Sequence, residues 1–263
     1  MVVRSTISRD GTRIGWTETG RGEPLVLIHG TGADHTRWEG FAPRLAGRFR
    51  LYLVDRRGRG LSSDASDYSI EHEYDDVAAV AEDIGGAAIL GHSYGGTVAL
   101  GAATRTDAIS RTICYEGWPA AERAFDPGDA TDKIQERLDA GDPAGALTVM
   151  MRDVVGLNED QIAWMREQPM WDGRVAAAHS LPRELRAGPS MKLSNAELSR
   201  IAGPVLLLIG GQNEARLRPD AEELCATLKR GRIAVLPDQG HTAMDWAPEM
   251  FADAVASFIQ STA

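Results

Sequence analysis

Short apolar runs alternate along the chain with segments whose apolar positions repeat every three to four residues. Leu25-Val26-Leu27-Ile28, Phe49–Val54, Ala87-Ala88-Ile89-Leu90, Ser110–Tyr115, Val205–Ile209 and Ile233–Leu236 form the first set. A short run without polar interruption suits a strand covered on both faces. Ahead of them, Val2–Ser8 and Arg13–Thr19 are joined across Asp10-Gly11 and read as an antiparallel hairpin. Helical spacing covers Thr36–Ala46, Ile70–Ile84, the stretch after Gly96, and Pro248–Ile259, where Phe251, Val255 and Phe258 share one face. Strand and helix in regular succession predict an α/β fold: a mostly parallel, doubly covered sheet of about eight strands.

Between Glu116 and Val205 this rhythm stops. Asp132–Leu138, Gly145–Val155, Glu159–Arg166 and Ala176–Arg186, the last broken at Pro182, have helical spacing, and no strand is predicted there. The pattern therefore divides the chain into a core of residues 1–116 and 203–263 and a helical lid, residues 117–202, inserted between two core strands. Trp118, Trp164, Met165, Met170 and Trp171 give this insert large apolar side chains. Most are expected to pack the lid onto the core. At least one of Trp118, Met170 and Trp171 is expected to line an apolar pocket wall.

One strand-to-helix junction carries chemistry. Gly91-His92-Ser93-Tyr94-Gly95 follows the run Ala87–Leu90 and opens onto Thr97-Val98-Ala99-Leu100. This is the Gly-X-Ser-X-Gly nucleophile elbow, in which a sharp turn lifts the serine above the strand end and the glycines permit close packing. His29, Asp55, Ser93, Glu116, Asn213 and the loop before His241 all fall just after a predicted strand. In parallel sheets, ligands bind at that end.

Composition narrows the partners. The formal net charge of −10 argues against nucleic acid and anionic membrane surfaces, which need basic patches. Two cysteines, Cys114 and Cys225, and no Cys/His cluster with ligand spacing leave no expected metal site. Cys114, in an apolar run, is expected to be a small core residue. No signal-peptide pattern and no membrane-length apolar run are present, so the expected setting is cytoplasmic. The expected partner is a small-molecule substrate; the sequence carries no signal of oligomeric state.

The pieces His29-Gly30-Thr31-Gly32, Asp55-Arg56-Arg57-Gly58-Arg59-Gly60-Leu61-Ser62, Gly91–Gly96 and Gly240-His241 occur in an order that resembles the α/β-hydrolase fold, in its serine-nucleophile, esterase-like branch. The resemblance implies Ser93 as nucleophile and His241, late in the chain, as its base. It implies an oxyanion hole from the backbone N–H groups of Tyr94 and Thr31. His92 and His29 are expected to be structural. Many relatives place the triad aspartate after the next-to-last strand, where this chain has Asn213. Two carboxylates could replace it: Glu116, favoured because some branches carry their acid after that earlier strand, and Glu214. Arg56, Arg57 and Arg59 are expected in a solvated loop or in ion pairs with Asp55 and Asp64.

The function this implies is a serine hydrolase cleaving a small, largely apolar ester or related acyl compound through an acyl-enzyme. No metal or organic cofactor is implied. Because fold does not dictate chemistry, a lyase, cyclase or cofactor-free oxygenase, or a receptor-like binding protein with a retained triad, stands as the alternative.

Overall fold

The computed structural model describes residues 2–119, 127–188 and 191–262. Eight strands form one sheet in the order β1-β2-β4-β3-β5-β6-β7-β8. They are β1 (Val2–Ile7), β2 (Arg13–Gly20), β3 (Glu23–Ile28), β4 (Phe49–Val54), β5 (Ala87–His92), β6 (Ile109–Tyr115), β7 (Val205–Gly210) and β8 (Gly231–Leu236). β1 and β2 pair antiparallel, as does β2 with β4, and every other pairing is parallel.

Alternation within the strands builds two cores. Val26 and Ile28 face one side, packing with Tyr74, Val77 and Val98 from helices Ile70–Asp83 and Tyr94–Ala102. Leu25 and Leu27 face the other, packing with Trp38, Phe41 and the Phe251, Val255 and Phe258 stripe of helix Pro248–Ser261. Because both faces are covered, the central strands carry no polar alternation; β5 and β7 are buried from end to end.

The helices show where tertiary contacts overrode local pattern. In place of one helix over Thr36–Ala46 there are two short 3-10 turns, His35–Trp38 and Ala42–Arg44. Pro43, in the first turn of the second, lacks the N–H that would continue the first. Gly145–Val155 divides into α-helix Pro143–Val149 and a π-helical turn, Met150–Val155. The stretch Ala176–Arg186 does divide near Pro182, into a 3-10 turn, Ala177–Ser180, and α-helix Leu181–Ala187, whose first turn holds the proline. Helix Glu214–Thr227, which the apolar pattern does not mark, follows β7 with Pro219 inside it. All described segments between β6 and β7 are helical or irregular. Their apolar residues form two small clusters, one around Ile134 and Leu181, the other around Leu147 and Ile162.

Parallel register brings the functional loops together. His92 pairs with Tyr115, Tyr115 with Leu208, and Gly210 with Leu236. The loops after β5, β6, β7 and β8 therefore emerge side by side at one edge of the sheet.

Candidate active site

Ser93 caps helix Tyr94–Ala102 with φ 55° and ψ −128°, a conformation that side-chain-bearing residues rarely adopt. Two features hold it. Its N–H donates to the Tyr115 carbonyl at 2.9 Å, continuing the ladder between β5 and β6. Gly91 and Gly95 allow the chain to fold back on itself: a Cβ at Gly91 would overlap the Gly95 carbonyl, and one at Gly95 the carbonyls of Ile28 and His29. Among the described residues the other non-glycine positions with positive φ are Glu116 (47°) and Asp238 (59°). One directly follows β6 and the other precedes His241. Backbone strain of this kind costs about 1–3 kcal/mol per residue and persists only where the surroundings enforce it. Here it collects in the three loops that carry Ser93, Glu116 and His241.

The Glu116 carboxylate is almost completely enclosed by polar partners. Oε2 accepts from His241 Nδ1 at 2.8 Å. Oε1 accepts from the Gly210 N–H at 2.8 Å, and the Asn213 amide donates to both oxygens at 3.2 and 3.0 Å. The backbone N–H of Glu116 is itself tied to the Leu208 carbonyl at 3.0 Å. Glu214 points elsewhere, bonding Arg218 one helical turn on at 2.8 Å. Asn213 is thus a donor to the carboxylate on the neighbouring strand.

His241 is positioned from below. His92 Nε2 donates to the His241 carbonyl at 2.8 Å, and the Tyr115 hydroxyl donates to the Gly240 carbonyl. The His92 ring lies 4.7 Å from that of His241 and stacks on Tyr115 at 5.7 Å. Burial, reinforced by the neighbouring His241 and Arg37, pushes the His92 pKa well below its ordinary value, so this ring is a neutral donor. His29 is also buried and neutral; its Nε2 accepts from the Arg56 N–H at 3.2 Å and its Nδ1 meets the Gly30 carbonyl at 2.9 Å.

Gly30 runs against Ser93, so that a Cβ there would come within 3.0 Å of the Ser93 Cβ. This brings Thr31 to the same cavity as Ser93, Tyr94, Glu116 and His241. The cavity measures about 430 Å³. Its apolar wall includes Trp118, Met150, Val155, Leu185, Met191 and Leu217. Of the three pocket residues expected from sequence, Trp118 lies on this wall. Met170 and Trp171 do not: the Met170 sulfur sits against Arg37 at 3.7 Å, and Trp171 packs beside Ile162 and Met165 with Arg166 over its ring. Side-chain size marks burial and does not say against which surface. The π-helical turn contributes Met150 and Val155 to this wall.

The three arginines after β4 depart from expectation. They are buried, and their partners are not Asp55 and Asp64. Arg56 forms a fork with Glu73 at 2.6 and 2.7 Å and reaches Glu184 at 3.4 Å; Arg59 pairs with Glu184; Arg57 forms a fork with Asp76 and meets Asp10. Asp55 instead bonds His35, and Asp64 bonds Arg183. The Arg56 guanidinium lies 4.3 Å over the Tyr94 ring, so this network supports the elbow. Burial alone would raise the Glu73 pKa, but Arg56 and Arg59 more than reverse this and hold it at about 2, against an ordinary 4.5. Its contribution to stability is therefore complete above pH 4.5 and fades as pH falls toward 2. Glu73→Gln, which strands buried guanidinium charge, is expected to cost about 3–5 kcal/mol at neutral pH. Urea unfolding of both proteins checks this, with the gap narrowing on acidification.

Asp34, His35 and Asp55 offer ligand atoms within 4.8 Å of one another. These atoms already serve internal bonds: both Asp55 oxygens face His35 Nδ1, and Asp34 Oδ1 caps Thr36. Cys114 is a buried core thiol donating to the Gly96 carbonyl at 3.3 Å. Among the described residues, no helix is long and apolar enough to cross a membrane.

The Alpha/beta hydrolase family model matches residues 25–254. The chain belongs to that family. A pimeloyl-[acyl-carrier protein] methyl ester esterase of Sodalis glossinidius is 30% identical over 264 residues, covering 93% of this chain and 97% of the relative. A relative of the same name from Nitrosomonas europaea is 28% identical, covering 89% and 94%. Among solved structures, an alpha/beta hydrolase from Sphaerobacter thermophilus superposes with a TM-score of 0.82 at 32% identity, covering 97% of this chain and 100% of that one. The relatives are ester hydrolases, and this family member is an α/β-hydrolase enzyme.

Proposed function

We propose that this α/β-hydrolase is a serine esterase cleaving a small, largely apolar ester through an acyl-enzyme. The observation that carries the reading is the 2.8 Å bond from Glu116 to His241 Nδ1, in the cavity that Ser93 also lines. With Nδ1 engaged by a carboxylate, Nε2 is left as the basic nitrogen. His241 removes the Ser93 proton as Oγ bonds the acyl carbon, then returns that proton to the departing alkoxide. Water, deprotonated by His241, next attacks the acyl-enzyme; the acid leaves and Oγ regains its proton. Glu116 fixes the tautomer and offsets the imidazolium charge. The N–H groups of Tyr94 and Thr31 receive the oxyanion. No metal or organic cofactor takes part in these steps.

The esterase names of the relatives support an ester as substrate, and the apolar wall supports an apolar group beside it. Residues 117–202 act in this reading as a lid that keeps bulk water from the acyl-enzyme, in a cytoplasmic protein. The test is labelling of Ser93 by a fluorophosphonate, together with turnover of nitrophenyl esters of graded chain length. Absence of both labelling and turnover would refute the reading. Trp118→Ala and Met150→Ala are expected to move the preferred acyl length, by roughly 1–3 kcal/mol in specificity per methylene. Equal scaling of every ester by both variants would assign these residues to packing alone.

A further inference from the structure

The nucleophile stands at the junction of two cavities. Ser93, Thr31, Met150, Val155 and His241 line the large one and also a small one of about 30 Å³. That volume holds one or two waters, or a single carboxylate group. The character of the two differs, because the small lobe is walled by Arg37 and Arg174.

The arginines are not equivalent. Both terminal nitrogens of Arg37 are taken by Asp245, at 2.7 and 2.8 Å. Arg174 lies on helix Trp171–Ala176, which approaches so closely that a Cβ at Gly173 would overlap the Asp34 carboxylate. The residue is half-buried, yet its Nε has no accessible surface and no hydrogen-bond partner. Among the described residues no ion pair joins it to a carboxylate, although Asp34 and Asp245 both lie close enough to act on its charge. Asp245 holds Arg37, and Asp34 Oδ1 accepts from the Thr36 N–H and hydroxyl at 3.0 and 2.5 Å. Burial and the adjacent Arg37 lower the Arg174 pKa to about 10, which still leaves a cation at neutral pH. The four groups Arg37, Arg174, Asp34 and Asp245 sum to no net charge. What Arg174 lacks is an acceptor for its Nε–H. A guanidinium N–H buried without such an acceptor is unfavourable, and a planar guanidinium edge matches a carboxylate.

We propose that Arg174 binds a carboxylate carried by the substrate, so that the ester cleaved at Ser93 has one anionic end in the small lobe and its apolar body in the large one. This rests on the serine-esterase reading and specifies its substrate class.

The test compares ligands that differ by one charge: monoethyl glutarate with diethyl glutarate, and the same pair of adipates. Calorimetric titration uses the Ser93→Ala protein, so that neither ligand is consumed. At least one half-ester should bind roughly 10- to 100-fold more tightly than its diester, the range of a charge-assisted hydrogen bond. The Ser93→Ala/Arg174→Gln protein should lose that preference, and Arg174→Lys in the same background should restore part of it. Ethanol release by the native enzyme should show the same preference in kcat/KM. Equal binding of both members in both pairs overturns the proposal, as does a preference that Arg174→Gln leaves intact. The native and Ser93→Ala measurements decide the matter even if Arg174→Gln does not fold. Failure of the esterase reading looks different: neither ester is turned over, while the charge preference in binding persists.

Discussion

Ser93→Ala and His241→Ala are each expected to lower ester turnover by about 10³-fold or more, and the double variant to be scarcely worse than either. The expectation follows from shared work. The hydroxyl needs a base to become nucleophilic, and the imidazole has no proton to move once the hydroxyl is gone. Steady-state kinetics on a nitrophenyl ester, with circular dichroism to verify folding, checks both variants. Residual catalysis should remain in each, because the N–H groups of Tyr94 and Thr31 are backbone and survive both substitutions. Near-native turnover by Ser93→Ala would exclude the acyl-enzyme route.

Glu116→Gln carries the second large effect. Removing a carboxylate from the Nδ1 side of such a histidine costs about 10⁴-fold where the corresponding change has been made, because the amide favours the wrong tautomer and offers no charge. A similar fall in kcat is expected here. Glu214→Gln should be near neutral, since Glu214 pairs with Arg218 on a partly exposed helix face, where such an ion pair contributes little. Asn213 sharpens the test. Its amide donates to the Glu116 oxygens at 3.2 and 3.0 Å, so Asn213→Asp in the native background would set two carboxylates side by side. Such a pair cannot stay doubly ionised. Activity should therefore fall, with the acid limb of its pH profile displaced upward. In the Glu116→Gln protein the same substitution returns a carboxylate to the cluster, and partial recovery is expected. A gain of activity from Asn213→Asp alone would mean that Asn213 is a defect and not a donor.

Much of this site is legible in one dimension because its pieces are local. Gly91-His92-Ser93-Tyr94-Gly95 can be read as a strand-to-helix turn since close packing admits only glycine at its flanks. Ser93, Glu116 and His241 are each found by following an apolar run to its end. The arginines after β4 show the reverse case. Arg56, Arg57 and Arg59 look like a solvated loop, because nothing local reveals that Glu73, Asp76 and Glu184 will be folded against them. Met170 and Trp171 mislead for the same reason: apolar bulk predicts burial, not the surface buried against.

The sequence by itself determined the succession of strands, the core helices after Ile70, Gly96 and Pro248, the sheet they build, the break in that rhythm after Glu116, and the turn that carries Ser93. These follow from periodicity and backbone sterics, which act over a few residues. Only the tertiary structure decided that Glu116 receives Gly210 and Asn213 as donors, that the π-helical turn joins Trp118 and Leu185 in the apolar wall, and that Arg174 lines the small lobe beside Ser93 with its Nε unpartnered. Those relations depend on parallel register and on how the insert packs, and hydrogen bonds and ion pairs between distant segments leave no periodic trace along the chain.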